Sequence, residues 1–305
     1  MEVALSTSWN AFRYSEASPC IREIKELGFD QVELSFNLTP SMVDEVEKLA
    51  ARNQISVASV HNYCPIPDNL KRVEALPDCY SLSSLNEEER SVAVHFTKRS
   101  IDTAVRMRAK AVVLHAGRVA IPDRTSELIG LFDKGLVKTS EFSSLRREIR
   151  EERSRYQQKY FDNALRSLEI IERYARENGI FVGVENRFYY REIPSLEEMG
   201  EILSRFDKSN LRYWHDVGHA YVMERLGFAG QGEYLQRYGA FILGMHLHDI
   251  NGCVDHGAPG TGEFDFNRIK EYVKQNTIKV VEAHYPVTAT EVKNSRKFVE
   301  DIFAA

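Results

Sequence analysis

Eight short runs that are apolar at consecutive positions alternate along the chain with longer amphipathic stretches. The runs are Val3–Thr7, Gln31–Ser35, Ser56–His61, Ala111–His115, Phe181–Asn186, Leu211–Asp216, Phe241–His248 and Lys279–Glu282. Strands read this way when a parallel sheet is covered on both faces. The stretches between them, such as CIREIKELGF and SMVDEVEKLAARN, predict helices. Start signals agree with this division. Asn86 precedes EEER with Glu89 three residues on, and Pro194-Ser195 precedes LEEMGEIL. Both patterns cap a helix N-terminus.

Eight β/α units predict an α/β fold of the (β/α)8 TIM-barrel class, with functional side chains on its C-terminal rim. A doubly wound open sheet is the alternative, but it places a Gly-rich phosphate loop after its first strand. Here the first strand leads into STSWNAFRYSE, which has no glycine. Residues 1–305 are read as a single barrel domain with an insertion at about 118–160. From Leu136 to Asn178 there is neither Gly nor Pro, so a long helix or a helical pair is expected after the fourth strand. Lys138 to Lys159 carries seven basic and four acidic residues, read as a solvated helix face rather than a lid or a dimer contact. A second long connection, Asn62 to Leu85, is a loop rich in Pro and Ser.

Apolar residues make up 43% of the chain, enough for a full core, and the net charge is −5. That charge argues against a nucleic-acid partner, which would call for a basic face. The four cysteines form no CxxC pair, so a reduced, cytoplasmic setting is expected. The N-terminal MEVALSTSWN has no basic leader pattern, and apolar runs such as AFILGM are too short to span a bilayer. No membrane partner is expected. The long insertion offers a surface for homo-oligomer contacts.

The chemistry gathers at the strand ends. Of nine histidines, His61, His115, His215, His219, His246, His248, His256 and His284 end a predicted strand or follow it closely. Glu185, Asp216, Asp249 and Glu282 share these positions. Residues two apart on a strand face the same way, so His246 and His248 point together, and Glu282 and His284 share a face. His219 follows Asp216 by about one helical turn. One imidazole with three carboxylates is an oxygen-rich set that suits a divalent Mn, Zn, Co or Mg ion. No GxSxG elbow, P-loop or catalytic Cys–His signature is present.

VGVENR, HDVGHA, GMHLHDINGCVDHGAPGTGEFDF and VVEAH, in this order and at strand ends, resemble the xylose-isomerase-like TIM-barrel superfamily. That superfamily holds sugar isomerases and epimerases and the type-IV apurinic endonucleases. The resemblance implies one divalent ion on Glu185, Asp216, His246 and Glu282. It implies an isomerase or epimerase of a small carbohydrate-like substrate, in which Glu185 and Glu282 exchange a proton beside a carbonyl through a metal-stabilised enediolate. Pro259 to Phe266 resembles the turn into the family's last helix, with Asp265 at its start. The endonuclease branch holds three metals, and His61, His115, His219 and His256 fall on its extra ligand positions. Its pattern also wants Asp two residues before His256, where Val254 stands, and Asp255 is expected to face elsewhere. A multinuclear phosphodiesterase is therefore the alternative. A barrel that binds a ligand without catalysis is a third reading.

Individual residues keep blander alternatives. Glu185 and Glu282 are candidates for ion pairs, the first with Arg187. Asp216 is a candidate helix cap as well as a ligand. His246 and His248 compete for one ligand position, with Asp249 as a candidate acceptor for the ligating ring. His61 and His115 stand open between metal, substrate and structural hydrogen bonds. His219 and His256 are candidates to orient substrate hydroxyls, and His284 is undecided. His215 faces away from Asp216 and is expected outside the site. Arg187 is a candidate for an anionic substrate group or a structural salt bridge. Trp9 and Phe188 are candidate pocket walls, and Glu33 a candidate to contact substrate or a ligand.

Overall fold

The computed structural model describes residues 2–303. In chain order its strands are β1 (Ala4–Ser6), β2 (Gln31–Leu34), β3 (Ser56–His61), β4 (Ala111–Leu114), β5 (Phe181–Glu185), β6 (Leu211–Asp216), β7 (Ile242–Leu247), β8 (Asp249–Asn251), β9 (Val254–Gly257) and β10 (Ile278–Val281). Eight of them close a parallel barrel in the order β1-β10-β7-β6-β5-β4-β3-β2, while β8 and β9 form a separate antiparallel hairpin. The fold is a TIM barrel, as the alternation predicts.

The barrel interior is plugged from below. Ala4, Ala58, Ala111, Val113, Trp214, Ile278 and Val280 form an inner apolar cluster. The small residues make room for the indole of Trp214, and a Cβ at Gly244 would collide with that ring. The plug confines the chemistry to the rim above it. Register sets the rim: Asp216 pairs with His246 across β6 and β7, and Val280 pairs with His246 across β10 and β7.

The helices are α1 (Ala17–Glu26), α2 (Pro40–Ala51), α3 (Glu87–Met107), α4 (Thr125–Asp133), α5 (Ser140–Glu177), α6 (Leu196–Arg205), α7 (Val217–Leu226), α8 (Gln231–Tyr238) and α9 (Ala289–Phe303). Ser195 and Glu198 close the capping box at the start of α6. At α3, Asn86 caps as predicted. The Glu89 carboxylate instead takes the amide of Ser81 and the hydroxyl of Ser84, tying down the preceding loop.

After β4 comes the short α4, then α5, a single helix of 38 residues. The charged run on α5 is not simply a solvated face. Arg153 is buried, with Nη1 3.0 Å from Glu198 Oε1, Nη2 2.6 Å from Glu198 Oε2, and Nη2 donating to the Glu192 carbonyl at 2.9 Å. The turn from Pro259 to Phe266 also differs from expectation. Asp265 caps a 3-10 helix, Phe266–Tyr272, which ends before β10, and the last α-helix starts only at Ala289. No helix among the described residues is long and apolar enough to cross a membrane.

Candidate metal centre

His246 lies at the middle of the rim. Its Nδ1 is 2.5 Å from Glu185 Oε1, 2.9 Å from Glu282 Oε2 and 3.6 Å from Asp216 Oδ2. Its Nε2 is 3.1 Å from Glu33 Oε1, and Ser59 donates to Glu33 Oε2 at 2.7 Å. Glu185, Asp216, His246 and Glu282 are all buried, and one ligand-type atom from each falls within 4.8 Å of all the others. Two states satisfy this geometry. An imidazolium can bond to the carboxylates, or a ring protonated only on Nε2 can face a cation held by Nδ1 and three oxygens.

The electrostatics favour positive charge at this point. Burial opposes a charged His246, but Glu282, Glu33 and Glu185 outweigh it and push its pKa well above the ordinary value. Burial likewise opposes ionised carboxylates, yet His246 and His115 hold Glu185 well below the usual range, and His246 with His256 does the same for Glu282.

Asp216 is fixed from three sides. Its Oδ1 accepts the His219 amide at 2.7 Å, capping α7, and the Nε2 of His248 lies 2.9 Å away. The Nδ1 of His248 accepts the backbone N–H of His256 at 2.9 Å. That leaves the His248 proton on Nε2, donated to Asp216, so His248 supports the carboxylate from behind while His246 faces the cage. Gly218 allows this packing, since a Cβ there would strike the His248 ring. Asn186 staples β5 to β6: its Oδ1 accepts the Asp216 amide and its Nδ2 donates to the Asp216 carbonyl, both at 2.9 Å.

Further histidines ring this cage. His61, His115 and Glu185 form one cluster, Asp216, His219 and His256 a second, and His256, Glu282 and His284 a third. His61 turns Nδ1 to the Asn62 carbonyl, and His219 turns Nδ1 to the Asn186 carbonyl, each at 3.0 Å. His256 stacks between His248 and His284, at 4.3 Å and 3.8 Å between ring centres.

Asp255 corrects an expectation. It does not face elsewhere: its Oδ1 is 3.0 Å from His256 Nδ1 and its Oδ2 is 3.7 Å from His219 Nε2. The reason is local. His256 has a left-handed backbone, φ 58°, which breaks strand alternation in the hairpin, so Asp255 turns inward and Val254 is 73% exposed. Asp249 is corrected too. It is no histidine acceptor, because its carboxylate takes the amides of Ile250, Gly260 and Phe264 and so shapes the PGTGEF turn.

Arg187 lies within an ion-pair network. Its guanidinium contacts Glu185, Glu192 and Asp78. Trp9 is buried and donates its indole N–H to the Val287 carbonyl at 2.9 Å. Phe188 is half-buried with its ring edge-on to His219. His215 lies outside the cage, with Nδ1 2.6 Å from the Tyr213 hydroxyl. Sequence reasoning missed Asp78 and Glu192. Asp78 comes from the middle of the Pro/Ser-rich loop, where no pattern marks it. Glu192 is an acid seven residues after Glu185, and that spacing was the only available signal.

Known proteins place this rim in context. The model of the xylose isomerase-like TIM barrel matches residues 21–302. The uncharacterized protein MJ1311 of Methanocaldococcus jannaschii is 26% identical over 258 residues, 78% of this chain and 76% of its own length. Among solved structures, a D-tagatose 3-epimerase-like protein superposes with TM-score 0.66 at 21% identity, covering 100% of this chain and 97% of its own. The 3-keto-D-glucoside 4-epimerase YcjR of E. coli gives TM-score 0.69 at 15% identity, covering 99% of each chain. At these identities the structural likeness speaks for the fold. The match to the family model spans nearly the whole described barrel, and the chain belongs to the xylose isomerase-like TIM-barrel family.

Proposed function

We propose that this protein is a divalent-metal-dependent isomerase or epimerase of a small sugar or polyol-type substrate. The observation that carries the reading is the set of three buried carboxylates converging on Nδ1 of His246 while its Nε2 is held by Glu33. Buried carboxylates this close repel one another unless a positive charge lies among them. One nitrogen and three oxygens fit Mn, Zn, Co or Mg. When bound, such an ion supplies Lewis acidity, fixing a substrate carbonyl and a neighbouring hydroxyl and stabilising the charge that develops on them.

The protein's own groups do the rest. Glu185 reaches the rim from β5 and Glu282 from just beyond β10, so the two carboxylates enter from different strands around the cage. One takes the proton from the carbon beside the carbonyl, and the other returns it. His219, His256 and His61, which cluster with the cage carboxylates, orient hydroxyls. A D-tagatose 3-epimerase-like protein and a 3-keto-D-glucoside 4-epimerase among the structural neighbours make 2-keto sugars and keto-glycosides the first substrates to try.

The test is solvent exchange. The Mn- or Co-loaded enzyme is incubated in D2O with each of a set of ketoses, inositol derivatives and keto-glycosides. Epimerisation with deuterium at the inverted carbon is expected for at least one. Absence of exchange across the set, with metal bound, would sink the proposal.

A second reading has one specific observation in its favour. Asp216, His219 and His256 form a second cluster able to hold an ion, and Asp255 approaches its two imidazoles. Two or more ions would suit hydrolysis of a phosphodiester. Salt-sensitive cleavage of abasic DNA, with no sugar exchange, would move the assignment there.

A further inference from the structure

A cation is already built into one of the histidine clusters. His115 Nε2 and Glu185 Oε2 are 2.8 Å apart. Nη1 of Arg187 stands beside both, 2.5 Å from the nitrogen and 2.6 Å from the oxygen. An ion ligated by that pair would sit about 2.0–2.2 Å from each ligand atom. Nη1 lies in that same space. Neither volume nor charge allows a guanidinium and a divalent ion there together.

The guanidinium is firmly held. Nη2 reaches Glu192 Oε1 at 3.3 Å and Asp78 Oδ2 at 3.6 Å. Asp78 also anchors the far side of the imidazole, its Oδ1 lying 3.1 Å from His115 Nδ1. Arg187 is only 7% exposed, and arginine keeps its proton in proteins. Three carboxylates and one imidazole thus bind a permanent single charge where His61, His115 and Glu185 would otherwise offer three ligand atoms to a metal.

We infer that Arg187 is an internal cation that closes the His61–His115–Glu185 cluster to metal. It divides Glu185 between two positive charges: Oε1 faces the His246 cage and Oε2 belongs to the arginine. Glu185 is then a ligand to one ion and not a bridge between two. Arg187 acts on metal stoichiometry rather than as a receptor for substrate anions. The inference rests on the proposal that the His246 cage holds a divalent ion.

Elemental mass spectrometry tests this on full-length protein saturated with Zn2+ and desalted, comparing wild type with Arg187→Gln. The variant should hold one more ion per chain than the wild type, and adding His115→Ala should remove the extra ion. Loss of Arg187 removes the cation beside half-buried Asp78 and buried Glu192, so Arg187→Gln/Asp78→Asn/Glu192→Gln is measured alongside. Thermal melts identify which variants are folded. Equal, non-zero counts in wild type and a folded variant would overturn the inference while leaving the metal-centre proposal standing. A wild type that binds no ion would remove the metal-centre proposal itself, and this inference with it.

Discussion

Glu33 and His246 meet inside the barrel, carboxylate oxygen to Nε2 at 3.1 Å, although they lie on the non-adjacent strands β2 and β7. A carboxylate behind a ligating imidazole fixes its tautomer and raises its basicity. Glu33→Gln keeps the shape and removes the charge. Metal affinity should fall about 10–100-fold, measured by competition with a chromogenic chelator. An unchanged affinity would mean that Glu33 has no part in holding the His246 ring.

Glu282→Gln should abolish turnover and leave the barrel folded. Glu282 is buried at the rim beside His246 and His256, so the neutral amide fits the space without an added charge but cannot carry a proton. The readouts are the D2O exchange assay and a thermal melt. Full exchange in the variant would refute the acid/base role.

Arg153 anchors α5. It forms a two-point pair with Glu198, and Glu198 also caps α6 through the Ser195 amide. Arg153→Met strands that carboxylate in a buried position, and breaking a buried pair costs about 3–5 kcal/mol. Arg153→Met/Glu198→Gln should recover part of the loss. Urea unfolding measures both, and a single variant as stable as the wild type would show that α5 does not depend on this contact.

His215 should make the metal-free protein sensitive to mild acid. Burial lowers its pKa to about 4. The unfolded chain, with an ordinary histidine pKa of about 6.5, takes up the proton first. This contribution to stability is therefore complete above pH 6.5 and shrinks as pH falls through 6.5 toward 4. It amounts to about 2 kcal/mol between pH 7.5 and pH 5. His61, His219 and His284 are shifted in the same direction by burial, so the comparison is with His215→Phe, whose urea midpoint should fall less over that range. Parallel pH profiles for the two proteins would exclude His215 as the source.

The barrel was legible because its cause is local. The barrel strands are largely buried and announce themselves as apolar runs, and helices such as α3 and α6 carry their own caps. Glu185, Asp216, His246 and Glu282 were legible as rim residues because each falls at or beside the end of an apolar strand, and the resemblance of VGVENR, HDVGHA, GMHLHD and VVEAH to the family's motifs singled them out as a set. Asp78 was not legible, because a loop of Pro and Ser has no periodicity from which to read where it folds back. Asp255 was misread because alternation assumes extended backbone, and His256 turns left-handed. Arg187 stood open between an anion receptor and an ion pair.

The sequence by itself determined the fold class and the rim, since both follow from hydrophobic periodicity and strand ends, while the choice of Glu185, Asp216, His246 and Glu282 among the rim residues came from the family resemblance. Only the tertiary structure decided which nitrogen of His246 faces the carboxylates, that Asp255 turns inward, and that Arg187 sits between His115 and Glu185. Those facts depend on contacts between residues far apart in the chain, and no local pattern encodes them.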